Sequence, residues 1–320
     1  MITRRDLFGL GAAAAGAAVM ACGRSRRPAD DARIPTPAAA PAAPAAPAIA
    51  APPPGGHHDA LFAALAAAGG LGFVRRGDRV LLKVNTNSGD RYPYSTSPDV
   101  VRWIATELRD RGAEVTVGDR SFWGDGDTRG NLEANGIAAA ARAAGAAVTV
   151  FEDDGDWVAV DEALVPSWRP PVHLPRLAVE ADHVFNLACV KTHFITGCTL
   201  GLKNLLGLVR ALDRKRDGNL RVHHDQLIHR QIADVNRAIR PRLTVIDGWR
   251  ALVSGGPTPD SGARPTIVDT GVVLAGADRV ALEVAAIELL QRHAPAGEAI
   301  HAQPAAQHPT VEAARAAGLG

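Results

Sequence analysis

The sequence contains few cysteines, few aromatic residues and almost no net charge, and each shortage excludes a class of protein. Three cysteines in 320 residues cannot build the disulfide framework of a small secreted scaffold. Aromatic residues make up 4% of the chain, too few for rows of surfaces that stack on bases. The net charge of +1 argues against nucleic acid or an anionic membrane surface as the main partner.

Several catalytic and cofactor motifs are also missing. The chain has no GxSxG turn, no Walker phosphate loop and no GxGxxG fingerprint. Their absence weakens the case for a serine hydrolase, an NTPase or a dinucleotide-binding enzyme. The motifs therefore leave open whether the protein is an enzyme.

The N-terminal residues resemble a twin-arginine export signal. Arg4 and Arg5 precede an apolar run of 14 residues from Leu7 to Met20. A membrane-spanning helix needs ~20 residues, so this run is short for a span. We expect residues 1–22 to be recognised by the twin-arginine translocation machinery, and the protein to be exported to the periplasm.

Cys22 offers a membrane attachment, and a proline-rich segment follows it. Residues 19–22, Val-Met-Ala-Cys, resemble a bacterial lipobox, in which Cys22 would carry a lipid. The alternative is cleavage near the Ala-rich stretch, which leaves a periplasmic protein without an anchor. Nine of the 22 prolines fall between Pro28 and Pro54, so we predict a disordered Ala/Pro-rich linker over residues 23–56.

Residues 57–320 are predicted to form a single α/β domain, because short β-rich runs alternate with longer helical periods. This pattern is typical of a mainly parallel sheet with helices on both faces, a Rossmann-like arrangement of three layers. Ser97 and Pro98 form a strong helix start, and Gly112 ends that helix. The predicted strands are 79–84, 114–117, 147–151, 184–190, 243–246 and 271–275, and the later predicted helices are 131–144, 226–239 and 279–290.

Polar residues follow the predicted strands, at the edge where open parallel sheets bind their ligands. Lys83 and Asn85 follow the first strand, Lys191 and His193 follow the fourth, and Asp247 follows the fifth. Asn and Asp are common after strands because turns need them, but turn chemistry does not account for the lysines.

Lysine is rare in this chain, which makes its positions informative. There are 31 arginines and four lysines, and three of the lysines, Lys83, Lys191 and Lys203, fall in the polar segments. A compact ammonium group suits an anion, a substrate carbonyl or a proton transfer better than a wide guanidinium does.

The segment from Lys191 to Gly207 is the densest in such features. Gly201 and Gly207 lie in an apolar helical stretch, where each would cost ~1 kcal/mol relative to Ala, so we expect a close approach to the backbone. A threonine-capped helix start after the strand is a candidate anion site. Tight packing of the helix against the sheet is the alternative.

Five of the eleven histidines lie between His183 and His229. None of their spacings is a recognised zinc pattern. His223, His224 and Asp225 are therefore only weak candidates for a divalent metal site, and the cofactor stays open.

Short segments spread over the predicted domain carry a family likeness: Lys83-Val84-Asn85, Ala181-Asp182, Lys191-Thr192-His193, residues 199–207, His223-His224, residues 245–248, Gly256-Pro257 and residues 277–283. In order from Asp78 to Gly320, they resemble the domain-of-unknown-function family numbered 362. That family usually has Asp where this chain has Glu283. Family relatives are often joined to ferredoxin-like cluster-binding segments; this chain has no such cysteine run, so the resemblance implies no resident iron–sulfur cluster.

Two functions and one purely structural interpretation, a tethered scaffold, remain open at this point. The first is binding or conversion of a small anionic or carbonyl-bearing molecule, with Lys203 supplying positive charge and His193 carrying a proton. The alternative is a redox accessory protein that docks an electron-transfer protein, an idea that rests on the signal type and on the family's ferredoxin association. For the first function the predicted catalytic residues are Lys191, His193 and Lys203, and the predicted ligand-binding residues are Lys83, Asn85, Asn204 and Asp247.

Overall fold

The computed structural model describes residues 55–121, 126–217, 227–261 and 264–320, together with the backbone of Ala48–Ala50. The predicted signal, the lipobox, most of the predicted linker and the metal candidates His223, His224 and Asp225 lie outside the described residues. Within the described residues, no helix has both the length and the apolar character needed to cross a membrane.

A mainly parallel sheet lies at the centre of the domain. Its order is β1-β10-β9-β7-β2-β3-β4, with β8 paired to β7. The neighbours from β4 to β9 run parallel, whereas β10, β1 and β8 are antiparallel to the strands that they pair with. The strands are β1 (Ala48–Ala50), β2 (Arg79–Lys83), β3 (Glu114–Asp119), β4 (Ala147–Val150), β5 (Trp157–Ala159), β6 (His173–Pro175), β7 (His183–His193), β8 (Gly197–Thr199), β9 (Leu243–Ser254) and β10 (Thr266–Gly276), of which β5 and β6 form a separate hairpin.

Helices cover both faces of this sheet, which confirms the predicted three-layer α/β fold. One apolar core lies under α1–α4, and a second lies under α5, α6 and α8–α10. The helices are α1 (His57–Ala67), α2 (Pro98–Asp110), α3 (Thr128–Ala134), α4 (Ile137–Ala143), α5 (Arg176–Glu180), α6 (Gly201–Asn204), α7 (Ala211–Arg216), α8 (Leu227–Ala238), α9 (Arg279–His293) and α10 (Pro309–Ala316).

Local sequence explains where α2 begins and where the next predicted helix breaks. The Ser97 side chain accepts a hydrogen bond from the Val100 backbone N–H, and Pro98 begins α2 as predicted. The predicted helix 131–144 is instead two helices, α3 and α4. Gly136 separates them because it adopts a φ of +88°, a left-handed conformation that ends a helix.

Two strands are longer than the sequence predicts, and their extra residues carry polar side chains of the predicted site. β7 continues to His193 because its end pairs with β8, and Lys191 lies opposite Thr199. β9 continues past Asp247 to Ser254 because it pairs with β10. Lys191 and His193 are two residues apart on one strand and therefore share a face, as predicted.

Candidate functional site

A cleft of about 440 Å³ lies at the C-terminal ends of β2 and β7. The strand order makes this position a topological switch point, because β3 and β4 extend the sheet on one side of β2 whereas β7 lies on the other. Six of the seven predicted catalytic and ligand-binding residues meet here. The polar side chains around the cleft include Lys83, Asn85, Asp119, Arg120, Lys191, His193, Thr196, Lys203, Asn204 and Arg214.

A buried ion pair occupies the floor of the cleft. Lys83 Nζ lies 2.7 Å from Asp119 Oδ1, and both side chains are buried. Asp119 also accepts hydrogen bonds from the backbone N–H groups of Thr86 and Arg120. Burial lowers the pKa of Lys83 and raises the pKa of Asp119, so each charge depends on the other.

Gly201 and Gly207, the two glycines of the apolar helical stretch, meet close neighbours, as predicted. A Cβ at Gly207 would lie 2.9 Å from Lys83 Nζ and would also collide with Asp119, so the ion pair requires a glycine here. A Cβ at Gly201 would lie 3.1 Å from a methyl group of Thr244 on the sheet. Gly207 therefore serves the site, whereas Gly201 serves the packing of α6 on the sheet.

Three buried asparagines form an oriented chain of hydrogen bonds. Asn186 Nδ2 donates to the Gly201 carbonyl, Asn204 Nδ2 donates to Asn186 Oδ1, and Asn85 Nδ2 donates to Asn204 Oδ1. Asn85 Oδ1 is thereby left to accept from Lys191 Nζ at 2.7 Å. The amide oxygen and the amide nitrogen of Asn85 and of Asn204 are all engaged in hydrogen bonds within the protein, so these amides position the lysines. The sequence predicts instead that they bind a ligand.

Lys191 is buried at the end of β7 without a carboxylate partner. Its Nζ donates to Asn85 Oδ1 and to the Tyr94 carbonyl, which are both neutral acceptors. No described carboxylate lies within 4 Å of this nitrogen. Burial lowers the pKa of Lys191, and an anion in the cleft would oppose that shift.

His193 is held in one tautomer. Its Nδ1 accepts a hydrogen bond from the Ile195 backbone N–H at 3.1 Å, so the neutral ring carries its proton on Nε2. Burial, with Lys203 and Lys191 nearby, lowers the pKa of His193 and keeps the ring neutral. The structure therefore favours a hydrogen-bond donor at His193 over the predicted proton carrier.

Lys203 enters the cleft from α6. Its Nζ donates to Thr196 Oγ1 at 2.8 Å, and none of the described carboxylates lies within 4 Å of it. Burial lowers the pKa of Lys203 well below its ordinary value, and Lys191 adds to the effect. Lys203 is therefore an amine that loses its proton readily, whereas the sequence predicts a fixed positive charge.

Two arginines of the cleft are absent from the predicted site. Arg120 follows Asp119 at the end of β3, and its Nη1 donates to Thr128 Oγ1. Arg214 on α7 is 2% exposed and donates to the Ser121 carbonyl. Burial lowers the pKa of Arg214 to about 10, so it stays charged at neutral pH. The position of Arg120 at a strand end could have identified it as a cleft residue from the sequence. Arg214 lies in an Arg-Lys-Arg run that is typical of a surface, so the sequence gives no indication of its place in the cleft.

The predicted threonine-capped anion site does not form. Helix α6 has four residues, the preceding residue is Leu200, and no side chain of the preceding residue caps the helix. Instead the Glu283 carboxylate accepts hydrogen bonds from the backbone N–H of Leu202, at 2.9 Å, and of Gly201. The protein's own carboxylate thus occupies the position predicted for a bound anion.

Glu283 makes the stability of the protein depend on pH. Burial raises the pKa of this carboxyl from 4.5 to about 7. A carboxyl with a raised pKa in the folded state stabilises the fold fully below pH 4.5, and that contribution is lost as the pH rises through 7. We expect Glu283→Gln to remove up to about 3 kcal/mol of this pH dependence from the free energy of unfolding.

Urea unfolding at a series of pH values measures this effect. Glu288→Gln is the matched control, because Glu288 is exposed on the same helix. Its stability curve is expected to follow that of the unmodified protein. Parallel curves for Glu283→Gln and Glu288→Gln would contradict the assignment.

Asp247 is not among the residues that line the cleft. Its Oδ1 accepts hydrogen bonds from Tyr92 Oη, His57 Nε2 and the Trp249 backbone N–H, at 3.0, 3.1 and 3.0 Å. Burial and this carboxylate raise the pKa of Tyr92, so the phenol keeps its proton and donates. The physical reason is that these three donors hold its carboxylate inside the protein. β9 does not end at Asp247, which pairs with Cys189, two residues before Lys191 on β7.

No metal cluster is evident in the part of the chain that the structure describes. Groups of three or more His, Cys, Asp or Glu side chains that could hold a metal ion do not occur there. The predicted candidates lie in 223–225, outside the described residues.

The fold and the cleft define an α/β protein with a doubly wound sheet and a cleft lined by lysine and arginine side chains. Comparison with known proteins then gives the family: residues 80–288, more than half of the chain, match "Domain of unknown function (DUF362)". The chain belongs to this family. It is also 30% identical over 233 residues to "Thylakoid-associated protein sll1697" of Synechocystis sp., a match that covers 70% of this chain and 66%, just under two thirds, of that protein.

Proposed function

We propose that the cleft binds a small anionic or carbonyl-bearing compound. The observation that carries the proposal is that Lys191 and Lys203 both reach into the cleft with no described carboxylate within 4 Å. Removing an ammonium group from water without a counter-charge is costly, and the cost falls when a ligand supplies the negative charge. Asp119, the buried carboxylate of the cleft, is already paired with Lys83.

The dimensions and the lining of the cleft support a ligand of this size. A volume of about 440 Å³ lies within the range of small-molecule sites. Leu206 and Ile228 give it an apolar wall, and the exposed Phe194 stacks on His193 with ring centroids 5.0 Å apart. A few directed polar groups on an apolar wall are typical of sites that fix a ligand's orientation.

A thermal-shift titration tests the proposal. Oxalate, glyoxylate and phosphate are the probes, and oxamide is the matched neutral control for oxalate. We expect at least one anion to raise the melting temperature in a concentration-dependent manner and oxamide not to do so. The shift should be larger at about pH 6 than at about pH 9, because burial lowers the pKa of Lys191 and Lys203 and binding must restore their protons.

Two outcomes would count against the cleft. Equal stabilisation by oxalate and oxamide would show that negative charge is not recognised. Undiminished stabilisation of a Lys191→Met variant would place the bound anion elsewhere, since Lys191 lines the cleft from β7.

We also propose that the domain acts after export, on the basis of Arg4 and Arg5 before the apolar run. The name of the Synechocystis relative associates that protein with the thylakoid, and a lipid on Cys22 would give this chain a membrane association as well. The redox accessory role stays a prediction from the sequence.

Changing Arg4 and Arg5 together to lysine is expected to retain the protein in the cytoplasm, because the signal is recognised as an arginine pair. Fractionation of the host cells measures the effect. Cys22→Ser is the companion variant, which should be exported but released from membranes. Normal periplasmic accumulation of the double lysine variant would remove the export assignment.

A further inference from the structure

Lys203 differs from the other lysines of the cleft in its hydrogen bonds. Lys83 is paired with Asp119, and Lys191 donates to two acceptors, whereas the described partner of Lys203 Nζ is Thr196 Oγ1 alone. The Thr196 hydroxyl donates its own hydrogen to the Cys198 carbonyl at 2.9 Å, so it can only accept from Lys203. Thr196 thus leaves the nitrogen lone pair of the neutral amine unused.

The surroundings of Lys203 favour that neutral amine. The side chain is half-buried in the wall of the cleft near Lys191. Its desolvation there lowers the pKa well below the ordinary value for lysine. A neutral amine is a nucleophile, whereas an ammonium ion is not. An arginine could not serve as a nucleophile here, because its guanidinium stays protonated. A lysine at this position is therefore informative in a chain with 31 arginines and four lysines.

We propose that Lys203 forms an imine with the carbonyl carbon of a small aldehyde or keto acid whose carboxylate is held by Lys191. The inference rests on the proposed function and names the substrate class of the same cleft. Both nitrogens line one cavity, and the neutral His193 ring lines it too, with Nε2–H able to donate to the carbonyl oxygen.

The step is balanced without an oxidant or a reductant. The lone pair of Lys203 Nζ attacks the carbonyl carbon, a C–N bond forms, and the π electrons of the C=O bond move to oxygen. The oxygen then leaves with the two amine hydrogens as water, and a C=N bond remains. Exclusion of bulk water by the surrounding wall, which includes Leu206 and Ile228, would protect this bond from hydrolysis.

Reductive trapping tests the inference on the full chain. The protein is incubated with glyoxylate and sodium cyanoborohydride, which reduces an imine to a stable secondary amine, and its peptides are then mapped by mass spectrometry. The map is simple because the chain has four lysines. We expect one carboxymethyl group on Lys203, formed at least about tenfold faster than on the exposed Lys215, which does not line the cleft.

Two variants serve as controls. Lys203→Arg cannot form an imine, so it should give no adduct in this peptide. Lys215→Arg should leave the labelling of Lys203 unchanged. Excess oxalate should slow the labelling of Lys203 in the unmodified protein, because both compounds occupy the cleft.

The failures of the two proposals are distinguishable. If glyoxylate raises the melting temperature but Lys203 acquires no adduct, or acquires it no faster than Lys215, the imine is overturned and anion binding stands. If neither glyoxylate nor oxalate stabilises the protein and no adduct forms, both proposals are overturned.

Discussion

Replacing Lys83 with methionine is expected to lower the free energy of unfolding by about 3–5 kcal/mol. Methionine fills a similar volume, but it leaves the buried Asp119 carboxylate without the ammonium group that lies 2.7 Å from its Oδ1. Two backbone N–H groups still bind Asp119, but they do not supply a full positive charge. Urea unfolding near neutral pH measures the loss.

The loss caused by Lys83→Met should also depend on pH. Burial raises the pKa of Asp119 even with Lys83 present, and removing the lysine raises it further. A carboxyl with a raised pKa in the folded state costs less as the pH falls and it becomes protonated, so the deficit should shrink in mild acid. Adding Asp119→Asn to Lys83→Met should recover part of the stability at neutral pH. A loss no larger than that of the exposed Lys215→Met would contradict the buried pair.

Replacing Lys203 with methionine is expected to weaken glyoxylate binding on the order of 2 to 4 kcal/mol without destabilising the fold. No described carboxylate within 4 Å would be stranded by the change, and Thr196 keeps its hydrogen bond to the Cys198 carbonyl. The melting temperature should stay nearly unchanged or rise, since the half-buried amine of Lys203 is replaced by an apolar side chain.

Melting and calorimetric titration of the same variant separate the two roles that Lys203 could have. A large fall in melting temperature with unchanged binding would make Lys203 a structural residue. Lys191→Met is the contrasting variant: it removes the donor to Asn85 Oδ1 and the Tyr94 carbonyl, so it should lose stability as well as binding.

The alternation of strands and helices was sufficient to predict the sheet, because each element carries its own local pattern. Ser97 and Pro98 specify the start of α2, and the apolar period of α8 specifies its buried face. Strand ends were less predictable. Lys191 and Asp247 are polar residues that favour a loop. Pairing with β8 and β10, together with pairing between β7 and β9, keeps their backbone in the sheet.

The site residues that directly follow a strand could be predicted from the sequence. Those that reach the cleft only through contacts between distant segments could not. Lys83, Lys191 and His193 belong to the ends of β2 and β7, so the topology alone brings them together. Asn186 lies inside β7 and Arg214 on α7, and only the folded arrangement shows that they serve the cleft. The donors that hold Asp247 likewise come from distant segments, since Tyr92 and His57 are more than 150 residues away in the chain.

A crystal structure of the protein with saturating oxalate would test the ligand site most directly. We predict oxalate at the C-terminal ends of β2 and β7, with its oxygens within hydrogen-bond distance of Lys191 Nζ and close to Lys203. Oxalate bound elsewhere on the protein, with only water between these two lysines, would contradict the proposed function.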